Sequence, residues 1–472
     1  MTKNVFFLLL VLMIQVARGG LELKKGDRIL FYGSSFIERL QGHGLFEASL
    51  QLAHPEKDLE LRSLAWTGDE VGYRLRPERY VNHLKKLLEK WPANVVILGF
   101  GGNESFAGKR GIVRFRSDLE GYLEEMKRRH PGAVVIVLSP ISTEDLKHRH
   151  YPDASKRNAE IKAYVDAMRE VVQGWGARFV DLFEPSLAAY AEQEIPLTDN
   201  GIHLNAPGNK AIARHLAREL LGPEAYSKVD QVRAEVVARA VARKAEHVAD
   251  VVRPVNTVLY FGVRGRAREY NAEIPRFHAL IENADARIHA MAKDDSIRFN
   301  SEPITLPPLV KREPVQLPSP DEMLSSFRVA EGYEVNLFAS EQEFPELRNP
   351  EQIAFDAKGR LWVVTMPSFP GTIPGDVPHD KVIVLEDTDR DGRADKSTVF
   401  ADELTVPDGL AFYKDGVIIS HQPRLMFMKD SSGDGKADIQ QEILRGIDVT
   451  DAHHGGMIAM GPLGHVIFCD GV

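Results

Sequence analysis

Between residues 21 and 222, short β-branched runs alternate with amphipathic stretches of helical period, an order that few folds accept. The runs are residues 28–32, 59–64, 94–99, 133–139 and 177–182. Most are continuously apolar, as strands buried on both faces must be. The helical patterns between them cover 37–52, 77–90, 111–129, 155–174 and 208–221. This alternation predicts an α/β domain over residues 20–222, with a parallel sheet covered by helices on both faces. Ligand sites in such folds gather beyond the carboxyl ends of the strands.

The texture then changes twice. Residues 223–300 read as a helical extension: 224–252 is rich in Ala, Glu, Arg and Val and ends before Pro254, and a second pattern spans 274–293. The mixed charge of both predicts a solvated appendage. Residues 301–325 read as a stiff linker, with six prolines between 301 and 320. From 326 to 472, short strand patterns are separated by Gly/Asp turns, and an internal repeat appears. VIVLEDTDRDGRAD at 382–395 returns as LMFMKDSSGDGKAD at 425–438, an offset of 43 residues. A period in the forties with several short strands per unit predicts an all-β partial β-propeller. About three blades fit in that length, so the chain is expected to be a fragment of a longer protein.

Charge and cysteine usage exclude several classes. With 59 Lys plus Arg against 68 Asp plus Glu, the net charge of −9 gives no excess of cations to neutralise phosphates, so no nucleic-acid partner is expected. The lone Cys469 excludes an internal disulfide framework and any CxxC site. Residues 1–19 read as a signal peptide: Lys3, an apolar run from Val5 to Val16, then the small-residue pattern Ala17-Arg18-Gly19. Export to a periplasmic or secreted location follows, with no membrane span once the signal is removed.

Four separated segments supply chemistry. Gly33-Ser34-Ser35 stands between the first strand and a helix, where a serine hydroxyl can act as a nucleophile and helix amides can hold an oxyanion. Alone, it is also a common turn and helix cap. Gly68 follows the second strand, and Asn103-Glu104 follows the third. His203 lies in Thr198-Asp199-Asn200-Gly201-Ile202-His203, before the last helix. Together these are a nucleophile, oxyanion donors and a base, the parts needed for acyl transfer.

In order and spacing the four segments resemble the SGNH (GDSL-type) hydrolases. The resemblance covers about residues 25–222 and implies a three-layer α/β/α fold that hydrolyses esters, often acyl groups on carbohydrates or lipids. It assigns Ser35 as nucleophile, His203 as base, and Ser35, Gly68 and Asn103 as the oxyanion hole, with no cofactor. The implied substrate is a small-molecule or glycan ester. The sequence departs from the family pattern at Ser34, where aspartate is usual, and at Asn200, three residues before the histidine, where the family has aspartate. An amide there is expected to accept a hydrogen bond from the ring and orient His203 without stabilising an imidazolium. Asp199 is the neighbouring carboxylate that could take over. Both an active esterase and a domain that has lost turnover fit this pattern.

In the last segment, Asp387, Asp389, Asp391 and Asp395 match the start of a D-x-D-x-D-G calcium loop, and equally a hairpin turn that favours Asp and Gly. His453 and His454 are candidates for a propeller channel, or plain structural residues. Residues 327–472 resemble the N-terminal part of membrane-bound dehydrogenases of the quinoprotein glucose/sorbosone type. That resemblance implies sugar oxidation with pyrroloquinoline quinone if the propeller is completed. The alternative function is therefore an oxidoreductase whose first domain only binds glycan, and a third is a binding protein with both domains silent.

Overall fold

A computed structural model of the chain describes residues 20–73, 80–147, 151, 153–253, 274–298, 305–306, 318–369, 377–445, 447 and 456–469. The signal-peptide segment, most of the linker, His453 and His454 lie outside the described residues. The chain forms two compact units, Met1–Val252 with Phe277–Leu306, and Arg253–Arg276 with Pro307–Val472.

In the first unit the elements are β1 (Arg28–Gly33), α1 (Ser35–His43), α2 (Leu45–Ala53), β2 (Glu60–Ser63), α3 (Tyr80–Lys90), β3 (Val95–Gly99), α4 (Ile112–Arg129), β4 (Val134–Leu138), α5 (Ala154–Trp175), β5 (Arg178–Val180), α6 (Phe183–Glu192), α7 (Ala206–Tyr226), α8 (Gln231–Val252) and α9 (Ile274–Lys293). The five strands form one sheet in the order β2-β1-β3-β4-β5. Every pairing is parallel. All five expected strands are present, shortened or extended by a residue or two. The strand order reverses direction at β1, so the edge beyond β1 and β3 is where a site should form.

One expected helix divides. The periodic stretch 37–52 is broken at Gly44, which adopts φ 70° and ends α1. A side chain at 44 would meet the carbonyl oxygen of Ala238 at 2.3 Å, so α1 and α2 turn against α8 at a residue without a Cβ.

The helical extension is no solvated appendage. Val237 and Val241 of α8 and Ile288 and Met291 of α9 have no exposed surface and belong to the same apolar core as Phe46 and Leu61. Beside them sits a buried ionic quartet. Lys244 of α8 donates to Glu47 of α2 and, at 3.0 Å, to Asp285 of α9. Arg62 of β2 forks onto both oxygens of Asp285, at 3.2 Å through Nη1. The side chains of Lys244, Glu47, Asp285 and Arg62 are 2%, 0%, 9% and 3% exposed, so two cations and two anions neutralise one another out of water.

The second unit adds α10 (Pro320–Ser326) and the strands β6 (Pro350–Phe355), β7 (Leu361–Thr365), β8 (Asp380–Glu386), β9 (Lys396–Leu404), β10 (Pro407–Tyr413), β11 (Gly416–His421), β12 (Arg424–Lys429), β13 (Ile439–Arg445), β14 (Ile458–Met460) and β15 (Val466–Phe468). They form two four-stranded antiparallel sheets in sequence order and a two-stranded hairpin. The 43-residue repeat falls on the third strand of each sheet and the turn after it. Trp362 packs against Phe400 of its own sheet, ring centres 4.6 Å apart, and Phe412 of the next at 5.4 Å. Among the described residues no helix is long and apolar enough to cross a membrane.

Candidate active site

The site grows from the close approach of β1, β3 and α1. A Cβ on Gly33 would lie 2.5 Å from the Gly99 carbonyl oxygen, and one on Gly99 would lie 2.4 Å from Cγ1 of Ile37. Two glycines therefore let Ile37 seat α1 directly on the strand ends. Ser34 is the extended cap residue, at φ −101° and ψ −156°, and Ser35 opens the helix. The amides of Ile37 and Glu38 donate to the Ser34 carbonyl at 3.1 and 3.2 Å, while those of Ser35 and Phe36, at the very start of the helix, can serve as oxyanion donors.

The loops after β2 and β3 are tied to this turn. Oε2 of Glu38 accepts from the Thr67 amide at 3.0 Å and its hydroxyl at 2.7 Å. Glu104 spans both loops, accepting from the amides of Val71 at 2.9 Å and Gly101 at 2.8 Å. Burial pushes its carboxyl up to about 7. Asn103 donates one of its two side-chain N–H groups to the Asp69 carbonyl at 3.1 Å, which leaves the second.

His203 lies on the loop between α6 and α7. The buried carboxylate of Glu144 moors that loop by accepting from the amides of Leu197 at 3.0 Å and Thr198 at 2.8 Å. Burial and the nearby Arg39 guanidinium push the imidazole down to about 4, against the opposing charge of Glu38. The ring is therefore neutral at pH 7.

Ser35, Asn103 and His203 line one cavity of about 70 Å3, together with Arg39, Arg157 and Asn209. The fold places these three residues, far apart in sequence, around one space. Among the described residues no hydrogen bond joins the Ser35 hydroxyl to His203, a contact that in such sites often tightens only around substrate. Gly68 is placed differently. It sits exposed in the turn after β2, with φ 86°, and is not among the residues lining the cavity.

Asn200 differs from expectation in the direction of its hydrogen bond. Its oxygen is already taken by the backbone amides of Ile202 and His203 at 3.2 and 3.0 Å. Its nitrogen, a donor only, faces Nδ1 of His203 at 3.1 Å. The amide thus donates to the ring rather than accepting from it. Asp199 does not replace it, because its carboxylate pairs with Arg39 at 3.4 Å.

Sequence reasoning did not single out Glu38, Arg39, Glu144 or Arg157. The first two stand three and four residues after Ser35, one helical turn on, and that spacing is a readable signal. Arg157 is a buried cation whose guanidinium stacks 3.7 Å over the Phe106 ring and donates to Ser105. No local pattern marks Glu144 or Arg157.

In the second unit, carboxylate oxygens of Asp387, Asp389 and Asp395 lie within 4.8 Å of one another, and Asp391 is not in that group. The same carboxylates hold their own turn. Asp387 accepts from the amides of Arg390 at 2.6 Å and Gly392 at 3.0 Å, and Asp395 accepts from Thr388 at 3.0 Å. The second repeat does likewise, with Asp430 accepting from Gly433 at 2.6 Å and Gly435 at 2.8 Å.

Among known proteins, residues 319–465 match a domain of unknown function, DUF7133. No curated protein matches the chain. Solved structures similar to part of it include a putative GDSL-like lipase from Parabacteroides merdae, at 16% identity, 43% of this chain, 99% of that one and TM-score 0.35. A catalytic mutant of an acetylxylan esterase from Geobacillus stearothermophilus aligns at 16% identity, 42% of this chain, 96% of that one and TM-score 0.33. A gut microbial diltiazem-metabolizing enzyme aligns at 20% identity over 44% of this chain, with TM-score 0.34, and the chain spans about half, 49%, of its length. Residues 31–211 match the GDSL-like Lipase/Acylhydrolase family. The parallel sheet and the cavity at its carboxyl edge both fall within this matched segment, which is similar to GDSL-like lipases/acylhydrolases.

Proposed function

We propose that the first unit hydrolyses carboxylic esters of small acyl groups through Ser35 and His203. The observation that carries this reading is the shared cavity, whose wall includes Ser35, Asn103 and His203. Ser35 Oγ attacks the ester carbonyl carbon while its proton passes to a bare ring nitrogen of His203. The Ser35 amide and the remaining N–H of Asn103 hold the oxyanion. Collapse expels the alcohol, which takes the proton from His203, and water then releases the acyl group by the same steps.

The size of the cavity narrows the acyl group. At roughly 10–15 Å3 for each water position, 70 Å3 holds a handful of small groups. An acetyl fits that space, so an acetylated small molecule or glycan is the favoured substrate. Export of the chain is supported by the order of Lys3, the apolar run and Ala17-Arg18-Gly19. We read the second unit as consecutive blades of a propeller, a reading supported by the repeat and by two successive four-stranded meanders.

The direct test uses p-nitrophenyl acetate and the full chain. Ser35→Ala is expected to abolish turnover while leaving the far-ultraviolet circular dichroism unchanged. Equal rates in the variant and the parent protein would refute the assignment.

A further inference from the structure

Two backbone hydrogen bonds decide which way the Asn200 amide points. Its Oδ1 accepts from the amides of Ile202 at 3.2 Å and His203 at 3.0 Å. Turning the side chain over would lose both bonds and set an NH2 group against two N–H donors. Nδ2 is therefore the atom that faces His203 Nδ1 at 3.1 Å. An amide nitrogen only donates, so Nδ1 must present its lone pair. A neutral imidazole has one hydrogen, and it then sits on Nε2.

That arrangement opposes base catalysis. To take the Ser35 proton, the ring nitrogen that reaches into the cavity must be bare. An aspartate at 200 would work in the other sense: one oxygen would serve the two backbone amides and the other would accept Nδ1–H, leaving Nε2 bare. The neighbouring carboxylate does not supply this function, since Asp199 is paired with Arg39.

We propose that Asn200 is a positioning residue that holds His203 in the tautomer unable to act as a base, so that the site rests in a low-turnover state. The proposal rests on the Ser35–His203 reading of function. In an unrelated Ser-His-Asp triad, exchanging the aspartate for asparagine leaves the geometry intact, gives the wrong tautomer and lowers turnover about 10⁴-fold. The same exchange is built into this chain.

The test is Asn200→Asp in the full chain, which keeps the acceptor for both backbone amides. We expect kcat for p-nitrophenyl acetate to rise about 10²- to 10⁴-fold, with KM unchanged. The ring is read separately by 15N nuclear magnetic resonance of histidine-labelled protein, with His203 assigned by comparison with His203→Gln. The parent protein is expected to carry the ring hydrogen on Nε2, and Asn200→Asp to carry it on Nδ1. A parent ring protonated at Nδ1 overturns the proposal. So does an inverted tautomer with no gain in kcat while Ser35-dependent hydrolysis persists. If the tautomer inverts as expected and neither protein shows Ser35-dependent hydrolysis, the ring assignment stands and the hydrolase reading falls.

Discussion

Replacing Lys244 by methionine tests the buried quartet that binds α2, β2, α8 and α9 together. Lys244 is 2% exposed and serves two anions, Glu47 and Asp285, that are themselves 0% and 9% exposed. Arg62 remains to neutralise Asp285, but Glu47 is left without its partner in a place where burial already raises its pKa. Removing one member of a buried ion pair costs about 3–5 kcal/mol, a large share of the about 5–15 kcal/mol that stabilises a domain. At roughly 2–4 °C per kcal/mol for a unit of this size, the melting temperature should fall by about 6–20 °C. Three of the four tryptophans (Trp66, Trp91 and Trp175) lie in the first unit, so urea unfolding followed by tryptophan fluorescence reports mainly on that unit. The companion variant Glu47→Leu/Lys244→Met removes charges of both signs and leaves the Arg62–Asp285 pair. It should recover most of the loss, since an apolar pair of similar volume often replaces a buried ion pair at little cost. A single variant within 1 kcal/mol of the parent, about the spread of ordinary substitutions, would refute the account. A double variant as unstable as the single one would refute it equally.

Two further outcomes follow from geometry already described. Gly44→Ala places a Cβ 2.3 Å from the Ala238 carbonyl at φ 70°, so the unfolding free energy from urea titration should drop by more than the about 1 kcal/mol set by backbone strain alone. Ester hydrolysis needs a neutral His203, whose pKa is held down to about 4 by burial and by Arg39, with Glu38 opposing. Protonation therefore removes the base only as pH falls through about 4, so kcat/KM should stay level from pH 7 to 5 and decline below. A decline centred near the ordinary imidazole value of about 6.5 would contradict the buried ring.

The alternation of strand and helix was legible because strands covered on both faces leave unbroken apolar runs, as in residues 95–99. The break at Gly44 was not, since the apolar period runs straight through it and the reason for the turn is the backbone of Ala238, far along the chain. Lys244 and Asp285 misled for a related reason. A charge within a helical pattern reads as solvent-facing, and only the tertiary pairing shows that it is enclosed. In the site, spacing located Ser35, Asn103 and His203 because each ends a strand or precedes a helix. For Gly68 it gave the loop after β2 without saying which way that loop faces. The exchange at Asn200 was visible as a residue type. Its consequence was not, because the direction of the amide depends on two main-chain N–H groups that exist only in the folded turn.

The helices beyond residue 226 set how the first unit can be handled as a separable piece. On the sequence pattern, the α/β domain ends near Gly222, which marks an obvious place to cut a cassette. Such a truncation would strip away Val237, Val241, Ile288 and Met291, each fully enclosed, and leave Glu47 facing water across a bare apolar surface. Recombination or subcloning at that seam would thus yield a sticky, partly collapsed product, and an excised version that survives must carry α8 and α9 with it.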